Sequence, residues 1–376
     1  MKLKLAFYKI VQAAAFINIV LYLLACLTPF ISAAYFFPFT FLALGFPVLL
    51  MGMVFWLVVC LCWCSSSKKK KVSLFLFIIL LGYKNIVSTV AFHPFSSSTK
   101  SNQSFRVLSW NVKGFISNDS SKIMKNNIVA DMMLFIKNTN ADILCVQDFE
   151  QMSPKPYCQF INYITDSLHF PYHYYSVDLD TTMFYGSTQY GTCIFSKYPI
   201  QKFGSIAYSG KHFTESLGFA DVIINNKPIR IFNTHLRSMY LGMTKEYTTS
   251  NFKYIMNDTN IAFHSTTFDK LKYFDTSHIN QAKLIKKVMD TTTIPFIFCA
   301  DLNSVPSSYI YHYISNNLND AFVQQGLGWG GTYSSSIPFY RIDVVLMSKA
   351  LKAIHYVSPK LELSDHYPVV VDIGWW

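Results

Sequence analysis

The sequence predicts an α/β sandwich of two β-sheets flanked by helices, preceded by a helical membrane anchor. Three observations lead to this prediction. The first hundred residues hold two long apolar runs and contain no Asp, Glu or Arg. From residue 105 onward, short alternating runs typical of strands outnumber segments with helical spacing. Many of these strands end in polar clusters, which fits two packed sheets better than a single doubly wound sheet.

The anchor is predicted over residues 1–92, with two to three transmembrane helices. Residues 7–28 and 35–64 are apolar and long enough to span a hydrocarbon core, and 72–92 is a weaker third candidate that falters at Lys84. Lysines lie at positions 2, 4 and 68–71, and the positive-inside rule places them in the cytoplasm. Three spans put residue 93 onward outside, whereas two spans leave it in the cytoplasm. A cleaved signal peptide over residues 1–34 is the alternative for the first run.

The Ser-rich segment 93–104 is predicted to be a linker, and residues 105–376 to form one large domain. Nine of the 32 basic residues lie in the first hundred positions, so the rest of the chain carries 23 basic and 21 acidic side chains. That near-neutral balance argues against a strongly basic nucleic-acid surface. The eight cysteines form no CxxC pair that would indicate a zinc site.

Strands are predicted wherever short apolar runs alternate or stay apolar between turn signals. Asn225-Asn226 is expected to join two of them as a hairpin. The predicted strands cover residues 105–112, 141–150, 191–200, 219–226, 227–236, 294–303, 341–348 and 364–373.

Helices are predicted where apolar residues recur at helical spacing, over residues 121–138, 277–290 and 307–318. Ser277 is the expected N-cap of the second. The polar and aromatic stretch 238–276 is expected to be an inserted loop or helical excursion. Together with Phe184-Tyr185, it is a candidate rim for substrate choice.

Six polar clusters carry the chemistry, and each alone would indicate only a turn, a cap or a surface group. Together they supply carboxylates suited to Mg²⁺ or Mn²⁺, imidazoles that can donate to a phosphoryl oxygen, and amides that can bind metal or orient phosphate. This inventory fits metal-assisted attack of water on phosphorus, and no Gly-rich phosphate loop suggests nucleotide-driven transfer. The clusters are Trp110-Asn111, Gln147-Asp148, Asn233-Thr234-His235, Asp301-Leu302-Asn303, Arg341-Ile342-Asp343 and Asp365-His366.

The ordered motifs WNV, ILCVQD, NTHL, ADLN, RIDVV and SDHYPV resemble the endonuclease/exonuclease/phosphatase superfamily over roughly residues 105–374. The resemblance implies a deoxyribonuclease I-like four-layer sandwich of two mixed β-sheets with helices outside and the site at one end. The N-terminal spans with SHINQA and GGTYSSSIPFYRID are similar to membrane-anchored members from Bacteroidetes-type bacteria. The implied location is a bacterial inner membrane, with the domain on the periplasmic side.

The resemblance also implies a role for each site residue. Asn111, Asp148 and Asp365 would hold the Mg²⁺ or Mn²⁺ ion. Catalysis would fall to Asp301, which activates water, to His366 oriented by Asp343, and to Asn303 and His235. Asn111, His235 and Asn303 would also bind substrate.

Two departures from the family pattern bear on the metal site. Asp148 stands where the family usually has Glu, one methylene longer, and Glu150 is an alternative on the same strand face. Lys113 stands where abasic-site enzymes carry an acid, and it would oppose a second metal or suit an extra phosphate. Asp343 with Arg341 could also be a structural ion pair.

The sequence therefore predicts a metal-dependent phosphoric ester hydrolase that acts on a phospholipid or another extracytoplasmic phosphoester. A DNA or RNA nuclease is the second hypothesis, and a non-catalytic binding protein that retains the fold is the third. The expected partners are a phosphoester substrate, either a lipid headgroup or nucleic acid, and the membrane. The sequence leaves the oligomeric state open.

Overall fold

Two apolar helices open the chain, as hydropathy predicts. The computed structural model describes residues 2–63, 68–94, 100, 104–115, 127–153, 160–183, 186–208, 215–238, 265–334 and 337–376. Helix α1 covers Lys2–Ala25 and α2 covers Pro38–Trp63. Both contain segments long and apolar enough to cross a membrane, Ala6–Ala25 and Pro38–Cys62.

The third apolar segment is broken. Helix α3 runs over Lys68–Leu81 and α4 over Tyr83–Thr89, with a bend of 67° between them, so the pair makes a third candidate span only if counted as one. The Tyr22 hydroxyl donates to the carbonyl of Ile79, which brings the C-terminal ends of α1 and α3 together. The N-terminus and the lysines at 68–71 therefore share the opposite end of the helices.

The two large sheets are mixed, as the family resemblance implies. One has the order β10-β12-β9-β8-β7-β6 and the other β13-β14-β2-β3-β5-β4. In each sheet one pair is parallel, β8 with β9 and β2 with β3, and the other pairs are antiparallel. Their strands are β2 Phe105–Asn111, β3 Ile143–Ser153, β4 Tyr172–Met183, β5 Gly186–Ser196, β6 Ile200–Ala207, β7 Ser216–Ile224, β8 Lys227–His235, β9 Phe296–Asp301, β10 Asn319–Asp320, β12 Asp343–Met347, β13 Leu351–Val357 and β14 Val369–Trp375.

A small third sheet pairs β1, Ala91–Phe92, with β11, Leu327–Gly328. Strand β1 follows α4 directly. The chain that leaves the anchor is thus hydrogen-bonded to the large domain at residues 91–92. The sequence analysis had predicted a linker that begins directly after them, at residue 93.

Helices cover both outer faces of the sandwich. Helix α5, Asn127–Thr139, packs on the β2-containing sheet, while α6, Thr267–Asp290, and α7, Tyr309–Ser315, pack on the β9-containing sheet. Helix α8 covers Ala321–Gln325, and short helical turns lie at Lys113–Phe115, Phe160–Asn162 and Tyr163–Ser167. Besides the two apolar cores under these helices, a third apolar core lies between the two sheets and includes the buried Cys145 and Cys299. The four-layer sandwich is confirmed.

The predicted start of α6 is wrong. The helix begins at Thr267, ten residues before Ser277, and its N-cap is Thr266, which forms a capping box with Asp269. The added turns bury Leu271 and Phe274, so part of the predicted excursion is helix. The rest of it, 239–264, lies outside the described residues, as do 116–126, most of the linker, and Phe184-Tyr185.

The Asn225-Asn226 hairpin is confirmed. It joins β7 to β8 with Ile224 opposite Lys227, and both asparagines adopt positive φ, 52° and 60°. Positive φ at both central residues is the requirement of the tight hairpin turn that matches strand twist.

Candidate active site

The predicted site residues converge at one end of the sandwich. Asn111 and His235 are the last residues of β2 and β8, and Asp301 is the last of β9. His235 and Asp343 lie beside Asp301 on the two neighbouring strands as its direct Cα partners. Parallel β2 and β3, and parallel β8 and β9, deliver their carboxyl ends to the same edge.

Asp301 lies at the centre of this cluster and is only 1% exposed. Its Oδ2 accepts a hydrogen bond from Asn111 Nδ2 at 3.0 Å, and its Oδ1 accepts the backbone N–H of Asn303 at 2.9 Å. His235 Nε2 and His366 Nε2 approach Oδ2 at 3.5 and 3.6 Å. Burial raises the pKa of Asp301 above its ordinary value, against the opposing pull of the two histidines.

His366 and Asp343 form a buried pair. Nδ1 of His366 donates to the Asp343 carboxylate at 3.0 and 3.2 Å, which leaves Nε2 directed at Asp301. Thr332 Oγ1 accepts the backbone N–H of Asp343, and Trp110 Nε1 donates to the carbonyl of His366. Burial alone would lower the pKa of His366, but Asp343 and Asp301 raise it to about 10.

His235 links Asp148 to the same cluster. Its Nδ1 lies 3.1 Å from Asp148 Oδ1, and its Nε2 lies 3.0 Å from the amide of Asn303, which also donates to the carbonyl of Leu236. Burial would lower the pKa of His235, but Asp148 and Asp301 raise it to about 10. In turn, burial would raise the pKa of Asp148, but His235 holds it below its ordinary value.

A β-bulge aims Asp148 at the site. The register between β3 and β5 shifts between Val146 and Phe149, and Asp148 has φ 47°. A left-handed non-glycine residue is strained and persists where its surroundings fix it, often at functional sites. Glu150, the alternative carboxylate, is buried and interacts with Tyr190 of β5.

Asp365 lies at the rim rather than at the centre. Its Oδ2 is 3.0 Å from Lys113 Nζ, so the unusual lysine of this chain pairs with one of the predicted metal ligands. Ser364 Oγ donates to the carbonyl of Asn111 at 2.9 Å and lies 3.3 Å from Asp365 Oδ1, which ties this loop to the end of β2.

Arg341 does not pair with Asp343. Its guanidinium lies 3.0 Å from Asp320 and donates to the carbonyl of Ser88, and the side chain is 1% exposed. The alternative of a structural Arg341–Asp343 pair is wrong, because Asp343 is engaged by His366.

The sequence analysis missed residues that support the site from behind. His278 and Gln281, on α6, contact the segment after His235. His278 Nε2 donates to the backbone carbonyl of Arg237, and Gln281 Oε1 accepts the backbone N–H of Arg237. His278 Nδ1 also lies 3.3 Å from Ser304 Oγ. Both residues belong to SHINQA, which had been noted only as a shared pattern.

Two family models match parts of this chain. The model of the endonuclease/exonuclease/phosphatase family matches residues 108–366, and that of a domain of unknown function (DUF8431) matches residues 8–89. A search of the curated proteins found no match.

Several solved structures are similar to this chain, and one of them has a TM-score above 0.5. An endonuclease/exonuclease/phosphatase from Beutenbergia cavernae is 15% identical with a TM-score of 0.53, and the match covers 73% of this chain and 72% of that one. A family protein from Bacteroides thetaiotaomicron is 15% identical with a TM-score of 0.48, covering 73% of this chain and 96% of that one. The human Nocturnin catalytic domain is 14% identical with a TM-score of 0.48, covering 74% and 97%. Because the family match spans more than half of its residues, the chain belongs to the endonuclease/exonuclease/phosphatase family.

Proposed function

We propose that this protein is a membrane-tethered, metal-dependent hydrolase of phosphoric esters. The observation that carries the proposal is the environment of Asp301. A carboxylate that is 1% exposed is approached by an amide and two imidazoles delivered by three separate chain segments, those of Asn111, His235 and His366. Such a set of acid, base and hydrogen-bond donors fits water attack on phosphorus better than it fits packing.

The donor set fits a hard divalent cation. Carboxylate and amide oxygens suit Mg²⁺ or Mn²⁺, and the family is divalent-metal dependent. Donor atoms of Asp301, Asp343 and His366 lie within 4.8 Å of one another, but His366 and Asp343 already bond each other. Following the family resemblance, we assign the ion to Asn111 and Asp148, with Asp365 at the rim, although Asp148 contacts His235 and Asp365 contacts Lys113. When bound, the cation would polarise a phosphoryl oxygen.

The chain's own residues would then divide the reaction. Asp301 accepts a proton from the attacking water, while Asn303 steadies that water or the phosphate. His366, held by Asp343, donates from Nε2 to the phosphoryl oxygens as negative charge develops on them. His235 contacts the scissile phosphate. The buried setting of these groups strengthens each interaction relative to water.

The membrane orientation follows from which end of the helices carries charge. The lysines at 2, 4 and 68–71 lie at one end, and the domain contacts the other, through Thr28 after α1 and Ser88 on α4. The positive-inside rule puts the lysines in the cytoplasm and the domain on the outer side of the membrane. In a bacterium of the kind that the resemblance indicates, that side is the periplasm. Residues 1–92 then form the anchor.

A membrane-surface substrate fits the site's position. Ser307 Oγ donates to the carbonyl of Ala43, near the start of α2. Ser307 comes four positions after Asn303, a path of at most ~14 Å at about 3.5 Å per residue. The candidate site thus lies close to the end of a membrane helix, where lipid headgroups reside. We therefore assign a phospholipid or a similar extracytoplasmic phosphoester as the substrate class.

Hydrolysis by the full-length protein in detergent tests the proposal. We expect Mg²⁺-dependent cleavage of bis-p-nitrophenyl phosphate or p-nitrophenyl phosphate, lost in Asp301→Asn and in His366→Gln. Asp372→Asn, at the far end of β14, and His173→Gln, on exposed β4, are the matched controls and should retain activity. Activity that persists in both site variants, or without metal, would exclude this site.

A substrate screen then separates the classes. Lipid vesicles, inositol phosphates and DNA are compared at the same Mg²⁺ concentration. Preference for vesicles supports the assignment, and preference for DNA makes the protein a nuclease. A wild-type protein that cleaves none of these substrates and neither p-nitrophenyl ester is a binding protein that retains the fold.

A further inference from the structure

A buried polar seam joins the anchor to two segments of the domain, the loop that follows Asp301 and Asn303 and the segment that leads into Asp343. Each member is at most 5% exposed except His312, which is partly buried. Polar side chains buried between apolar helices and a protein domain cost free energy unless each finds a partner. The seam consists of Thr28, Asn85 and Ser88 from the anchor and of Ser307, His312 and Arg341 from the domain.

The loop that follows Asn303 is held by the anchor at two consecutive residues. Ser88 Oγ lies 3.1 Å from the carbonyl of Pro306, and Thr28 Oγ1 lies 2.6 Å from that of Ser307. Each hydroxyl shares its single proton with a carbonyl of the anchor, that of Asn85 at 3.1 Å and that of Ala25 at 2.8 Å respectively. Ser307 Oγ returns a hydrogen bond to the carbonyl of Ala43 at 2.7 Å. The conformation of this loop therefore depends on three contacts that the domain alone does not supply.

Asn303 is the residue most sensitive to that loop. It has φ 46°, a left-handed conformation that a non-glycine residue keeps only where its surroundings determine it. Its N–H holds Asp301, and its amide lies 3.0 Å from His235. A shift of the loop would thus move the contacts of both proposed catalytic groups.

Arg341 forms a second connection between the anchor and the domain. One guanidinium nitrogen donates to the carbonyl of Ser88 at 2.9 Å, and the other lies 3.0 Å from Asp320. Arg341 stands two residues before Asp343, which orients His366. Because arginine stays charged, its guanidinium needs partners when it is buried, and the Ser88 carbonyl and Asp320 together fix its position two residues from Asp343.

Asn85 is the centre of the anchor's side of the seam. It is 0% exposed, and its Nδ2 donates to the carbonyl of Ala25 and to Thr28 Oγ1. Its Oδ1 accepts from His312 Nε2 at 3.0 Å, on α7 of the domain. One amide thus fixes α4 both to the end of α1 and to the domain.

We propose that α4 positions the catalytic loops, with Asn85 and Ser88 as its positioning residues. This inference rests on the proposed function, since it concerns the same site. The anchor then does more than localise the enzyme: turnover depends on α4 even when the substrate is soluble and needs no membrane.

The test compares full-length variants in detergent with a soluble p-nitrophenyl ester at saturating Mg²⁺. Asn85→Leu and Ser88→Ala should lower kcat about ten-fold or more, because displacements near 1 Å at a catalytic group carry penalties of that order. KM should change less than about two-fold, and Ser88→Thr, which keeps the hydroxyl, should restore kcat. The control is Asn18→Leu, whose amide bonds only within the anchor, to the carbonyl of Leu49, and which should leave kcat unchanged.

The outcomes separate the two proposals. If the wild type is inactive or Asp301→Asn is active, the proposed function fails. If Asp301→Asn is inactive while folded Asn85→Leu and Ser88→Ala keep the wild-type kcat, the positioning role fails and the function stands. Should Asn85→Leu not fold, Ser88→Ala decides by the same comparison. Thr28→Val, which removes a hydroxyl that contacts both Ser307 and Asn85, should then lower kcat as well. Equal loss of kcat in Asn18→Leu also refutes a role specific to α4.

Discussion

Replacing Asp343 by Asn tests whether the His366–Asp343 pair is catalytic. Asn has almost the same shape as Asp, and the backbone contact of residue 343 with Thr332 needs no carboxylate. The change therefore removes the charge that His366 Nδ1 faces at 3.0 Å and little else. We expect kcat to fall while KM stays nearly constant, since the interaction grows as phosphoryl charge develops.

The magnitude follows from the distance. Two unit charges 3.0 Å apart interact by about 5.5 kcal/mol at an effective dielectric constant of about 20. If about half of that energy serves the transition state, the barrier rises by roughly 2.7 kcal/mol, which is about 100-fold in kcat. The Asn side chain can also select the wrong imidazole tautomer, which adds to the loss.

Asp372 provides the matched control for that assay. It is also a buried aspartate, 1% exposed, and it bonds Arg106 through both oxygens at 2.6 and 2.8 Å. It pairs with the start of β2, whereas Asn111 at the end of β2 faces the site. Asp372→Asn should lower stability but not the kcat of folded protein. The reasoning is refuted if the kcat of Asp343→Asn stays within three-fold of the wild-type value. It is also refuted if Asp372→Asn loses as much kcat as Asp343→Asn.

Three further predictions use the same hydrolysis assay or denaturation. Asp148→Ala should raise the Mg²⁺ concentration for half-maximal activity more than about ten-fold, by loss of a ligand; an unchanged metal titration would remove Asp148 from the metal site. Lys113→Met should lower that concentration several-fold because it frees Asp365; a higher requirement would contradict this. Burial holds the pKa of His278 at about 4, so folding stability falls as pH drops from about 6.5 toward 4. Between pH 7.5 and 5, this titration lowers the free energy of unfolding by about 2 kcal/mol. In urea unfolding measurements, His278→Asn should therefore lose about that much less stability over the same pH range.

Eight strands were predictable because they bury side chains against fixed neighbours. The strands β4, β6 and β13 were not predicted, and all three lie at sheet edges. Alternation and polar ends located β2, β8 and β9 within one or two residues, and the turn chemistry of Asn225-Asn226 determined a hairpin. The start of α6 was missed because its first turns mix polar and aromatic residues with weak apolar periodicity, even though Thr266 and Asp269 have the spacing of a capping box.

The convergence of the site was predictable from order and spacing, whereas the pairing of its side chains was not. Which carboxylate holds which histidine depends on the bulge at Asp148 and on the register of β12 with β9, and neither is visible in a single sequence. The Lys113–Asp365 pair depends likewise on how two loops meet. Such side-chain pairs depend on tertiary structure, so the sequence predicts the candidate site residues but not which of them contact each other.

The third apolar segment shows the same limit in the anchor. Hydropathy counts Asn85, Ser88 and Thr89 as polar interruptions of a membrane span, but all three are buried, and Asn85 and Ser88 hydrogen-bond to the domain. A chain beginning at residue 93 would remove the Ser88 carbonyl from Arg341 and the Asn85 amide from His312. Water would solvate both side chains in that fragment, so the loss would lie in the positions of the segments that they connect rather than in unpaired buried groups. Activity measured on such a fragment would therefore underestimate the enzyme, because the fragment lacks groups that hold its catalytic loops.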